Sequence, residues 1–423
     1  MPLAYPFEPR TRRIADLAEA LARRLAASAA EHDRRGDFAL DNLRALHEAG
    51  YLSLALPRAY GGEEADVFDM VVAQQILARS DPASALVVGM SLNIIGRQRD
   101  EQVWPEPMFA EVCRDIAEHG GAINTCATEA DLGSVSRGGA PAALATPAEG
   151  GYRINGRKIF VTGAPGLRWF VTLVRLPPSH DAPYGEVASA LIKAGAPGLS
   201  IKDSWQGALS LRSSGNSDVN YEDVFVADEF VVERRPLSPP GAAKPPQGKG
   251  APGLGPWSLT VAAVYLGVGE AALEAAVRYA QGRRPTALGR PIADTAPIQE
   301  RIGLMAVSLE AARAQLYETA RLWRDHPELR EDLPARIAAA KYLCTNAACQ
   351  ASEAGLRVAG GFSLTAEVAL ERHFRDARGG LFQPPQDDLA LGLIGRGALE
   401  EIWDREPLAR PGARDARGPS AVA

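Results

Sequence analysis

Gly360-Gly361-Phe362-Ser363-Leu364-Thr365-Ala366-Glu367-Val368-Ala369-Leu370-Glu371-Arg372-His373-Phe374-Arg375-Asp376 is the stretch on which the reading of the fold turns. Two adjacent glycines stop a helix, and bare backbone amides at such an end can meet a phosphate. The helix they stop is visible upstream, from Ile337 to Val358 behind a proline-led start at Pro334. Downstream comes Phe382-Gln383-Pro384-Pro385-Gln386, then Gln386-Asp387-Asp388 ahead of Leu389-Ala390-Leu391. That is a helix start in which Asp387 reads as a cap.

Working outward, helical periodicity also runs through Leu259 to Tyr279 and through Ile298, Ile302, Met305 and Leu309, so residues 257–410 are expected to form an antiparallel helical bundle. The tail 411–423 has nothing to bury. Before the bundle, 236–256 is rich in proline and glycine and reads as a loop. Residues 120–235 change to short β-rich runs: Tyr152 to Ile154, Lys158 to Thr162, Trp169 to Val174 and Val219 to Val226, with Asn155-Gly156 as a hairpin signal. Residues 1–119 return to helix, with Ile14, Leu17, Ala18, Leu21 and Leu25 at helical spacing and Asp81-Pro82 as a helix start. The expected architecture is mainly α with a central β domain.

The chain has 423 residues, 46% of them apolar, and a formal charge of -6. Its 46 basic residues are scattered, with no block to neutralise phosphates, so a nucleic-acid partner is not expected. The start Met1 to Pro6 lacks the pattern of a secretory signal, and no apolar stretch is expected to approach the ~20 residues needed to cross a bilayer, so no membrane role is expected. Cys113, Cys126, Cys344 and Cys349 form neither metal-ligand pairs nor a disulfide framework. The histidines are equally dispersed. A cytoplasmic protein without a metal is the expectation.

Four further segments bear on chemistry. Thr125-Cys126-Ala127-Thr128-Glu129-Ala130-Asp131-Leu132-Gly133-Ser134 reads as a strand running into a Gly-Ser turn, and Lys158-Ile159-Phe160-Val161-Thr162-Gly163 as an amphipathic strand. Arg283-Arg284 closes the first bundle helix, and Pro297-Ile298-Gln299 opens the next. Taken in order with Gly360 to Asp376, these segments resemble the acyl-CoA dehydrogenase superfamily from about Ile14 to Leu399. The resemblance implies a helical N-terminal domain, a β-barrel-like middle domain and a C-terminal four-helix bundle, with FAD as cofactor.

By that resemblance Cys126, Thr128, Gly133, Ser134, Phe160 and Thr162 lie along the flavin. Phe160 shields a ring face, and the Thr162 hydroxyl stabilises charge on the reduced ring. Arg284, Gln299, Gly360, Gly361 and Gln386 contact the rest of FAD, some of them from a neighbouring subunit, which implies a homodimer or homotetramer. Glu367, Arg372 and Asp376 hold the helix after the glycines. Ser134, Trp257 and Pro384 would line the substrate pocket. Ala127, Leu132, Val135, Arg357 and Ser363 depart from the pattern.

The main departure is Pro384. It stands eight residues after Asp376, where the family carries the glutamate that removes an α proton from an acyl-CoA. Some members carry that glutamate on the first bundle helix, at positions occupied here by Trp257 and Ser258. Asp387 is the nearest acid. Three readings follow, in this order: an FAD-dependent oxidoreductase acting at CH–CH of an acyl thioester with an unidentified base; a monooxygenase of the same superfamily using reduced flavin and O2; and a non-catalytic flavin-binding protein. An acyl-CoA is the implied substrate class, and electron-transfer flavoprotein or a flavin reductase the implied redox partner.

Overall fold

The computed structural model describes residues 5–131, 139–239 and 255–405, without the side chains of 400–405. Five helices come first: α1 (Pro9–Arg35), α2 (Leu40–Glu48), α3 (Val67–Ala78), α4 (Pro82–Glu101) and α5 (Glu106–His119). On α1, Ile14, Ala18, Leu21 and Leu25 are buried, the stripe that the spacing predicts. Asp81 accepts from the Ser84 N–H at 3.0 Å and so caps α4. Every residue of α3 is buried, which removes the polar face on which periodicity depends. Its start is fixed instead by a capping box between Asp66 and Asp69, to which Arg10 and Thr11 of α1 bind.

Eight strands follow among the described residues: β1 (Ala122–Cys126), β2 (Leu144–Ala148), β3 (Gly151–Val161), β4 (Leu167–Leu176), β5 (Glu186–Lys193), β6 (Leu199–Lys202), β7 (Ser217–Ala227) and β8 (Val231–Pro236). Their order is β6-β7-β3-β2-β4-β5-β8, with β1 parallel to β4. Thr172 of β4 and Tyr221 of β7 hydrogen-bond at 2.7 Å although two strands separate them in this order, so the sheet curls over its own core. Asn155-Gly156 is not a hairpin. It lies inside β3, at a bulge in the pairing with β7, and the turn is made by Glu149-Gly150, where Gly150 has φ +74°. Pairing on both sides of β3 outweighs the local turn preference, and Asn155 Oδ1 accepts from the Asp223 N–H at 2.9 Å.

The bundle consists of α6 (Pro256–Gly282), α7 (Ala296–Asp325), α8 (Pro334–Ala359), α9 (Leu370–Arg378) and α10 (Asp387–Arg405). By length and composition α6 could cross a bilayer, contrary to the expectation that no apolar stretch approaches that length, but it is mostly buried against α3, α4, α7 and α8. Gly267 permits that burial, because a Cβ there would fall 2.4 Å from the Gln75 carbonyl oxygen of α3. Buried Glu270 ties three helices together, accepting from Gln75 Nε2 of α3 at 2.7 Å and from Arg313 of α7 at 2.6 and 3.0 Å. Of the Pro/Gly-rich stretch 236–256, residues 240–254 lie outside the described residues. All four cysteines are free thiols, and no metal-binding cluster occurs among the described residues.

Candidate functional site

β1 and the end of β3 bring the first two singled-out segments together. The Ile159 N–H donates to the Thr128 carbonyl at 2.9 Å, and Asn124 Nδ2 donates to the Thr162 carbonyl at 3.0 Å. Cys126 is fully buried and its thiol is pushed up to about 12, so it packs and does not react. Gly133 and Ser134 lie outside the described residues, as does Gly138. The lock between the segments is an ion pair. Lys158 Nζ donates to Glu129 Oε1 at 2.6 Å, both side chains being buried, and Glu129 also accepts from the N–H groups of Ala142 and Ala143 at 2.6 and 2.9 Å. Burial pushes the Glu129 carboxyl up, but Lys158 and the two backbone donors outweigh it and hold it below its ordinary range.

Beyond Lys158 the register of β3 slips and Phe160 takes φ +56°, a strained conformation for a residue with a Cβ. The consequence is an aromatic ring turned outward. Phe160 is 58% exposed, and Trp205 meets it edge to face at 5.9 Å. Thr162 is buried beside it. Gly163, with φ +75°, then lets the chain close on α4, where a Cβ would strike Val87 at 2.7 Å. An exposed aromatic face next to a buried threonine, on a backbone held rigid from behind, fits the ring edge and face of a flavin.

Gly360 and Gly361 end α8 in the open. Gly360 has φ +60°, and a Cβ added at either glycine would meet nothing within 4 Å. Phe362 stacks under the Arg283 guanidinium at 5.0 Å, so Arg283 stands beside the glycines; Arg283 and Arg284 are both exposed. Gln299, in the first turn of α7, donates to the Ala293 carbonyl at 3.0 Å. Arg301 reaches the Arg357 carbonyl in the last turn of α8 at 2.9 Å. These residues form a second, outward-facing group at one end of the bundle. The helix after the glycines is held where three parts of the chain meet. Asp376 accepts from the Leu211 N–H at 2.8 Å, Arg372 donates to the Ser80 carbonyl at 2.8 Å, and Arg375 binds Asp33 of α1 at 2.7 Å. Burial raises the Asp376 carboxyl to about 6 and lowers the neighbouring His373 to about 3.

Pro384 lies half-buried in the connection from α9 to α10, joined to Pro385 by a cis peptide bond. Asp387, read from sequence as a helix cap, points back to α8: its Oδ2 accepts from Asn346 Nδ2 at 3.1 Å, and its Oδ1 lies 3.9 Å from Lys341 Nζ. Lys341 is fully buried, and its ammonium, like Asp387 Oδ1 and Gln386 Oε1, has no hydrogen-bond partner among the described residues. Burial pulls the Lys341 ammonium down to about 8, Asp387 opposing. The sequence did hold a signal for Lys341. It shares a helical face with Ile337, Ala338, Cys344 and Ala348, all buried, where a lysine is out of place. Trp257, at the start of α6, directs Nε1 to Met90 Sδ of α4 at 3.0 Å.

Family models match along the chain: acyl-CoA dehydrogenase N-terminal domain at residues 9–99, middle domain at 124–224 and C-terminal domain at 254–398. YdbM of Bacillus subtilis (strain 168), whose name assigns it provisionally to the acyl-CoA dehydrogenases, is 35% identical over 373 residues, covering 88% of this chain and 93% of YdbM. A dibenzothiophene monooxygenase of Rhodococcus qingshengii is 28% identical over 396 residues, covering 86% of this chain and 87% of its own. The solved butyryl-CoA dehydrogenase of Megasphaera elsdenii shares the fold with a TM-score of 0.78 at 21% identity, covering 94% of this chain and all of its own. The three models fall in chain order on the helical domain, the sheet and the bundle, and the chain belongs to the acyl-CoA dehydrogenase family of flavoproteins.

Proposed function

We propose that this chain is an FAD-dependent oxidoreductase that acts on a small substrate without a loop carboxylate as base, which favours oxygenation with reduced flavin and O2 over removal of an α proton. One observation carries this reading. Position 384 is proline, and the nearest carboxylate, Asp387, is engaged by Asn346 and faces Lys341 of α8. Proline offers neither a side-chain base nor a backbone N–H to polarise a thioester carbonyl.

Bound FAD would supply two-electron chemistry and, when reduced, reactivity toward O2. Phe160 would cover one face of the ring, and Thr162 would present its hydroxyl to the ring edge. The Glu129–Lys158 pair would hold both segments at the positions these contacts need. The amides at Gly360 and Gly361, with Arg284 and Gln299, would hold the phosphate and adenosine part for a neighbouring copy. The bundle carries exposed apolar residues at Leu304, Val307, Leu364, Leu391 and Leu399, which supports a homodimer or homotetramer.

Dehydrogenation of an acyl thioester is the second reading, favoured by the place of Asp387, the acid nearest to Pro384, with Lys341 Nζ of α8 3.9 Å from its Oδ1. The deciding experiment mixes FAD-loaded protein with a panel of acyl-CoAs without oxygen and follows flavin absorbance. Slow or absent bleaching, with O2 consumed only when reduced flavin is supplied, is the expected result. Rapid bleaching by a simple acyl-CoA refutes the oxygenation reading.

A further inference from the structure

A cleft of about 410 Å3 opens between the α1–α2 turn and the stretch from β6 to β7, a size in the ~300–1,000 Å3 range of small-molecule sites. Phe38, Pro165, Ile201 and Trp205 supply its apolar walls. The walls are fixed before any ligand arrives. Gly215, with φ +59°, lies against Phe38 and Pro165, where an added Cβ would meet them at 2.7 and 2.9 Å. The turn that carries Phe38 is clasped by His32, whose two ring nitrogens lie 2.5 Å from Asp37 Oδ1 and 2.7 Å from Asp41 Oδ1. Trp205 donates from Nε1 to the Leu211 carbonyl at 3.0 Å, and its ring also meets Phe160. Phe160 itself is not part of the lining, so the cleft stands beside the flavin contacts and not in them.

Two opposite charges, Asp203 and Arg212, line this same cleft, and neither is in an ion pair among the described residues. Each is oriented by a backbone contact that leaves part of it for a ligand. Asp203 Oδ1 accepts from the Trp205 N–H at 3.1 Å, which leaves Oδ2. Arg212 Nε donates to the Ala208 carbonyl at 2.9 Å, which leaves both Nη groups, a fork suited to a carboxylate. Asp218, the next acid along β7, does not serve Arg212, because Arg157 and Ser204 hold it. The complement of the cleft is therefore a carboxylate and an ammonium held close together, on a body that packs against the rings of Phe38 and Trp205. The end of a peptide would bring only one of these charges, whereas a free α-amino acid carries both on one carbon. We propose that the cleft binds a free aromatic α-amino acid, with its carboxylate on Arg212, its ammonium on Asp203 and its ring against Phe38 and Trp205. The inference does not depend on which reaction the flavin site performs.

The test is titration calorimetry on the FAD-loaded full chain with three probes that share one aromatic body: L-phenylalanine, hydrocinnamate, which lacks the ammonium, and phenethylamine, which lacks the carboxylate. Calorimetry requires no turnover, so a negative result leaves the oxidoreductase reading standing, apart from the oxygen and acyl-CoA experiments. L-phenylalanine should bind about tenfold more tightly than either of the others, the contribution of one hydrogen-bonded charge. Asp203→Asn should bring the ratio of L-phenylalanine to hydrocinnamate to about one and leave the ratio to phenethylamine in place. Arg212→Gln should do the reverse. Absence of L-phenylalanine binding, or equal binding of all three probes, overturns the proposal on the wild type alone, whether or not the variants fold. A ratio that survives the variant aimed at it overturns the proposal as well, because the probes would then be held elsewhere, as in the flavin site.

Discussion

Lys158→Met should cost about 3–5 kcal/mol of stability, the penalty for removing one partner of a buried ion pair. The wild-type Glu129 carboxylate receives three donors, Lys158 Nζ at 2.6 Å and the N–H groups of Ala142 and Ala143 at 2.6 and 2.9 Å. After the substitution two remain, and an ionised group stays buried without its countercharge. The loss falls on the contact that aligns β1 with β3, so flavin should dissociate before the bundle unfolds. Urea titration followed by flavin fluorescence and by circular dichroism separates the two events. The double variant Glu129→Gln, Lys158→Met keeps a carbonyl acceptor for both backbone donors and removes both charges, and it should recover to within ~1–2 kcal/mol of wild type. The sign with pH follows from the depressed Glu129 carboxyl. Its contribution is present above the ordinary glutamate value of about 4.3 and disappears as pH falls through the lower folded value. A loss below about 1 kcal/mol for Lys158→Met, or a double variant weaker than the single, refutes the reasoning.

Thr162→Val should weaken FAD binding about two- to tenfold, one hydrogen bond's worth, as read by equilibrium dialysis. Asp387→Ala should leave FAD affinity unchanged and lower Tm, because Lys341 loses the carboxylate that faces it; loss of turnover with FAD retained would instead make Asp387 the base. His373 and Asp376, flanked by Arg372, Arg375 and Asp33, should produce opposite pH dependences. His373 loses stability as pH falls from about 6.5 toward 3, Asp376 gains it from about 6 to 4, and in the overlap each slope is ~1.4 kcal/mol per pH unit. Acid titration of stability should therefore be nearly flat from about pH 6 to 4 in wild type, steepen downward in Asp376→Asn and turn upward in His373→Asn; identical profiles in all three would contradict it. Leu304→Glu, placed on a side chain 64% exposed at the face assigned to a second copy, should shift light scattering toward the monomer and lower FAD retention together. Dissociation without loss of FAD would show that the neighbouring copy contributes nothing to the cofactor.

How much of this was legible in the chain depends on the range of the force involved. The α1 stripe is a local pattern, because water lies on one side of that helix and the core on the other. The middle of α3 has core on all sides, and there Gln74-Gln75 inside Val71-Val72-Ala73 and Ile76-Leu77 was the visible anomaly: two amides in an apolar run need partners that only the fold can supply. Gln75 finds Glu270, 195 positions away, and Gln74 finds none among the described residues. Asn155-Gly156 failed as a turn signal because sheet pairing on both flanks outweighed a two-residue preference. The outward Phe160 had no local signal at all, since its positive φ is imposed by a register slip against β7. The same division holds for the chemistry. That position 384 lacks a base can be read from one residue, but what the loop has in its place cannot, because Lys341 and Asn346 reach Asp387 from α8, more than forty positions earlier. A carboxylate held from behind in this way is set by helix packing and not by its own loop, so loop substitutions alone should not convert this site into a dehydrogenase: Pro384→Glu would add a carboxylate while leaving Asp387 held by Asn346 and facing Lys341 beside it.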